Sequence, residues 1–178
     1  MPVLAGCLTA STPKVTQWLV EYKGAARSAS QAKYEVGRVS QVLIRSPYNE
    51  TGIAVLRADG SMAFDPYNEY AANPMLMLKG VVFDAMDASG LFGVVVNPSS
   101  SVRSSVSVEV FISRLALDCR KEGERKAVAS VRVRILSDSG KVLYAQGEGE
   151  SDAKDGNYGA AFSLALSAAL NAAFEQFR

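Results

Sequence analysis

The chain has 178 residues, of which 48% are hydrophobic and 21% charged, enough for one domain with a sizeable core. Its 19 Lys and Arg against 18 Asp and Glu leave a net charge of +1, which gives no bulk electrostatic reason to expect a nucleic-acid partner. Histidine is absent, so Ser-His-Asp and Cys-His nucleophile pairs and the usual histidine-containing zinc sites are excluded.

The chain opens MPVLAGC, and Leu4-Ala5-Gly6-Cys7 has the form of a bacterial lipobox, in which cleavage before the cysteine leaves it to carry lipid. Cys7 is therefore the candidate lipidation site. The charged n-region and most of the apolar h-region of a signal peptide do not precede it, so either the sequence begins late or the match is fortuitous and Cys7 is a free thiol. Residues 1–14 read as this remnant with a polar tether, and 15–178 as a single domain.

Residues 15–22 are strand-like, and the Ala/Ser-rich stretch 23–33 is expected to be a loop. Strand character resumes over 36–44. Two short apolar runs, 52–57 and 61–64, flank Asp59-Gly60, a strong tight-turn signal, and read as a hairpin. Tyr48 precedes this hairpin, and Tyr67 and Tyr70 fall in the connecting DPYNEYAA after it. Exposed aromatic residues on loops anchor contacts, which makes Tyr48, Tyr67 and Tyr70 candidate partner contacts. The alternative is that they pack over a sheet edge.

Asn73-Pro74 supplies a cap and a suitable first helical residue, and Met75, Leu78, Val82, Phe83 and Met86 recur at helical spacing. Ser89-Gly90 ends the helix, and 91–96 is a short, strongly apolar run that reads as a buried strand. From Val102 to Ile112 apolar residues fall at alternate positions, the sign of a long strand with one face buried. Two further strands, 127–136 and 142–149, complete an antiparallel meander with turns at Gly123 and Asp138-Ser139-Gly140. Such a sheet has one dry face that needs cover. The alanine-rich segment 158–177 provides it, with Ser163, Ser167, Asn171 and Glu175 forming a narrow polar line expected to face water. The fold expected is α+β, a mixed, mostly antiparallel sheet with two main helices, about 73–89 and 158–177, packed on one face.

Nothing in the sequence assembles into a catalytic centre. Asp84 with Asp87, and Glu148 with Glu150, read as solvated carboxylates. The glycines of GEGESDAKDG match neither a P-loop nor a dinucleotide fingerprint. Cys119 has no histidine to activate it and reads as an inert, buried or half-buried thiol, and a Cys7–Cys119 disulfide has little support. The basic residues Arg114, Arg120, Lys121, Arg125, Lys126, Arg132 and Arg134 are interrupted by Asp118, Glu122 and Glu124, as on solvated strands. No enzyme, cofactor, metal or nucleic-acid partner is expected.

The order of these parts resembles the ABC-type transport auxiliary lipoproteins, the PqiC-like proteins. The carrying residues are the lipobox, the stretch VLIRSPYNETGIAVLRADGSMAFDPYNEYAANP, the Ser89-Gly90-Leu91-Phe92 helix exit, and the repeated V.V.I patterns of 106–118 and 131–143. The likeness covers most of residues 36–177, while the N-terminal part departs from the pattern. It implies a non-catalytic periplasmic lipoprotein. Such a protein works beside an ABC transporter and a substrate-binding protein of the mammalian-cell-entry (MCE) type, moving phospholipid or other hydrophobic molecules between two membranes. Leu8, rather than Asp, after the lipid-bearing cysteine implies anchoring at the outer membrane, and the family makes ring-like self-association plausible. The competing expectations are a soluble periplasmic carrier or enzyme with a pocket between helices and sheet, and an assembly or activator factor of another envelope complex.

Overall fold

Alternation of buried and exposed side chains lays down the longest strand. In β6 (Val106–Cys119), Val106, Val108, Val110 and Ile112 point inward, and Ser107, Glu109 and Phe111 point outward. The computed structural model describes residues 14–25 and 32–178; Cys7, the rest of the lipobox and residues 26–31 of the expected loop lie outside them.

β7 (Lys126–Ser137) pairs antiparallel with nearly the whole of β6, and β8 (Val142–Asp152) pairs antiparallel with β7, which gives the expected meander. The other edge of β6 is shared. β2 (Tyr34–Ile44) runs parallel to its first half, and β3 (Gly52–Arg57) runs parallel to its end. From β2 the sheet continues to β5 (Phe92–Val96), and from β3 to β4 (Met62–Tyr70) and then β1 (Thr16–Trp18). The result is one mixed eight-stranded sheet with a fork.

Two local expectations are corrected. Residues 65–70 do not connect hairpin to helix; they continue β4 across a bulge, where the register passes from Ala54–Phe64 to Gly52–Glu69. The turn-forming residues hold that bulge. Asp65 accepts hydrogen bonds from the Tyr67 N–H at 2.8 Å and the Asn68 amide at 3.0 Å, and the Trp18 indole donates to Asn68 at 2.8 Å. In contrast, the first strand is shorter than its pattern, because only residues 16–18 enter the sheet.

α1 (Pro74–Ala88) has the start and stop foreseen. Asn73 accepts from the Met75 N–H at 2.9 Å, and Gly90, at φ 69°, leaves the helix in the left-handed conformation. Leu78, Val81, Val82, Ala85 and Met86 face the core, while Met75 and Phe83 flank it.

α2 (Tyr158–Glu175) lies unusually close to the sheet because small residues meet small residues. A Cβ on Gly147 would stand 1.9 Å from the Ala169 carbonyl oxygen, and one on Gly149 would stand 2.1 Å from that of Ala165. Phe162, Leu166 and Leu170 fill the interface, and Phe174 meets Phe92 edge to face at 6.5 Å.

The polar line of α2 faces water at Asn171 and Glu175, as expected, but not at Ser163 and Ser167. Ser163 is 2% and Ser167 is 3% exposed, because residues 19–23 leave the sheet and lie along it. The Glu21 N–H donates to the Ser163 hydroxyl at 3.0 Å, the Lys23 N–H to Ser167 at 2.8 Å, and the Tyr22 hydroxyl to Asn171 at 2.6 Å. The side chains substitute for the strand partner that this backbone has left.

Candidate functional site

Both helices cover one face of the sheet, which leaves the opposite face of β2, β6, β7 and β8 open. Register aligns the outward residues into cross-strand rows. Leu43, Phe111, Arg132 and Gln146 form one row, and Gln41, Glu109, Arg134 and Tyr144 the next. Leu43 is 42% and Tyr144 is 54% exposed.

The Arg132 guanidinium carbon lies 4.7 Å from the centroid of the Phe111 ring, a cation–π contact, and among the described residues it makes no ion pair. Its neighbour Arg134 reaches Glu109 at 3.8 Å. A groove of about 340 Å³ runs between these side chains. Aromatic, aliphatic and arginine side chains on an uncovered sheet are the composition that protein interfaces favour.

The three tyrosines are not brought together as one exposed cluster. Tyr67 is 55% exposed on the β4 bulge, near the exposed Phe64 and Met62 on the same strand. Tyr48 is half buried against the core. Tyr70 is 2% exposed and packs edge on to Phe162 at 5.7 Å, and its hydroxyl finds no hydrogen-bond partner among the described residues. Burial pushes that phenol well above its ordinary pKa, so it stays protonated. A side chain this deep offers a partner no surface. Cys7 lies outside the described residues.

Several other charged groups are held by near neighbours. Arg120 bonds Asp118 in a fork at 2.5 to 3.1 Å and holds its carboxyl below the usual carboxylate range. Lys126 meets Glu150 at 2.7 Å, and Arg125 donates to the Tyr158 hydroxyl at 2.8 Å. Half-buried Cys119 is free, and Asp84 and Asp87 are exposed on α1. Among the described residues no helix is long and apolar enough to cross a membrane.

Sequence reasoning missed Phe111, although its signal was present: an aromatic residue on the polar phase of a period-two strand. It also missed Arg38. Its guanidinium donates to the carbonyls of Asn97 and Pro98 at 3.2 Å, of Ser100 at 2.9 Å and of Val102, and to the Ser104 hydroxyl at 3.3 Å. Such a clamp joins residues about sixty apart in sequence, which no local pattern reveals.

This forked sheet with two helices on one face has solved counterparts. A Xanthomonas campestris protein of the DUF330 family superposes with a TM-score of 0.67 at 15% identity, over 89% of this chain and 91% of that one. The chain shares the DUF330 fold. An uncharacterised protein follows at a TM-score of 0.61 and 13% identity, over 94% of each chain. A PelC dodecamer from Paraburkholderia phytofirmans gives only 0.43 at 15% identity, over 83% of this chain and 92% of that one. No family model matches the sequence, and no curated protein does. The DUF330 likeness is consistent with the PqiC-like resemblance in the sequence, and it speaks for the fold alone.

Proposed function

We propose that the chain is a non-enzymatic, lipid-anchored periplasmic component of an ABC-type, MCE-associated lipid transport system, docking the machinery at the outer membrane. The observation that supports this reading most is the open sheet face, where Leu43, Phe111 and Arg132 share one cross-strand row, with Tyr144 in the row beside it. Its partner would be the MCE-type substrate-binding protein, and lipid on Cys7 would hold the domain at the membrane.

The carrier reading needs room between helices and sheet. Under α2, Phe162, Leu166 and Leu170 are fully buried and fill the space, so that side offers a carried ligand no room.

Mass spectrometry of the chain made with its native upstream sequence tests the anchor. A Cys7 carrying diacylglycerol and acyl mass is expected. An unmodified Cys7, or retention in the cytoplasm, would contradict the anchoring claim.

A further inference from the structure

We infer that the second half of the β2 edge is a docking site for an extended segment of another protein, which adds to the sheet as a strand in line with β5. β5 pairs with β2 only from Tyr34 to Arg38; beyond that, among the described residues, no strand pairs with β2 on the side away from β6. The chain's own continuation is turned aside. After Val96 the backbone passes through Asn97 and Pro98 into the loop whose carbonyls Arg38 holds.

What is left is a groove of about 600 Å³ between residues 39–43 of β2 and Met75, Lys79, Gly80 and Phe83 of α1, closed at one end by Asn97 and Pro98. An unpaired strand edge is a template for another strand. The occupant is a peptide rather than a lipid tail, because an acyl chain laid along residues 39–44 would leave main-chain donors and acceptors covered without partners. The segment it fits is about six residues, or roughly 20 Å at 3.3 Å per residue. Its alternate side chains are apolar, to meet Met75 and Phe83.

Two features of α1 sharpen the occupant. Gly80 sits mid-helix, where glycine is unfavourable, yet a Cβ there would meet nothing within 4 Å. No contact among the described residues explains its bareness; close passage of another backbone over the helix does. Lys79 is exposed beside it and makes no ion pair among the described residues, so a carboxylate in the incoming segment is the complement. This site lies at the sheet edge under α1, so it stands whether or not the open face docks a partner.

The test uses random dodecapeptides displayed on phage, selected on the full chain. Peptides are expected with alternating apolar residues and an acidic one, whose binding slows amide exchange in residues 39–44. Gly80→Leu is expected to raise the melting temperature slightly while weakening those peptides at least tenfold, and Lys79→Glu to weaken acidic peptides similarly. Selected peptides that bind Gly80→Leu as well as the original chain, or that leave exchange in residues 39–44 unchanged, would overturn the proposal. So would failure to enrich any peptide over a Gly80→Leu control. Concentration-dependent dimers that protect residues 39–44 without peptide would overturn it in favour of a second copy as occupant.

Discussion

Tyr70 is one of three tyrosines the sequence offers as candidate contacts, and its environment answers to the alternative, packing, instead. Its ring stabilises the core and its hydroxyl is buried unpaired. Tyr70→Phe removes a desolvated hydroxyl and keeps the packing, so it is expected to stabilise the domain by about 1 kcal/mol, read as a shift in the denaturation midpoint. Partner recovery should not change; a loss of it would put Tyr70 back at an interface. Asp118 is a second residue with a stated sign. Arg120 lowers its folded-state pKa, so its contribution to stability is present above the unfolded pKa and is lost as pH falls through the folded one. Asp118→Asn is expected to cost less than about 1 kcal/mol at neutral pH, since the pair is partly solvated. The difference should begin to shrink as pH falls below the unfolded carboxylate value of about 3.9 and vanish only below the lowered folded-state pKa, in denaturation curves taken across that range.

Among the elements, α2 depends on small residues at the sheet and hydroxyls on its flank. Gly147→Val would set a Cβ 1.9 Å from the Ala169 carbonyl oxygen, and a loss of about 3 kcal/mol or more is expected from chemical denaturation. Ser167→Val is milder: the Lys23 N–H loses its acceptor, and faster amide exchange at residues 21–23 is the expected readout, with the rest of the domain unchanged. These elements also show what the sequence carried. The capped helix of Asn73 and Gly90, the Asp59-Gly60 hairpin and the period-two strands were legible, because each rests on neighbours in sequence. Ser163 and Ser167 in the polar line of α2 were misread because the backbone that covers them lies about 140 residues away. The β4 bulge was misread because Asp65, Pro66 and Asn68 are turn formers, and pairing with β1, far away in sequence, and the Trp18 contact carry the strand past them. Of the candidate site, Arg132 and Arg134 were visible as strand residues, but which face they shared with Leu43 and Phe111 needed the parallel register of β2 on β6.

At the scale of the whole molecule, the helices take one face of the sheet and leave the other to solvent, an arrangement suited to binding rather than enclosing. Phe111→Glu places an acid against Arg132 and is expected to preserve the fold and disable the face. The most direct measurement is co-purification of the full chain, made with its native upstream sequence, from detergent-solubilised envelopes containing the MCE-type protein. The original chain is expected to bring that protein down in stoichiometric amount, and Phe111→Glu, with an unchanged melting temperature, is expected not to. Recovery of no MCE-type protein with the original chain, while lipid co-purifies in equal amount with the isolated domain, would contradict the adaptor reading and leave a carrier in its place.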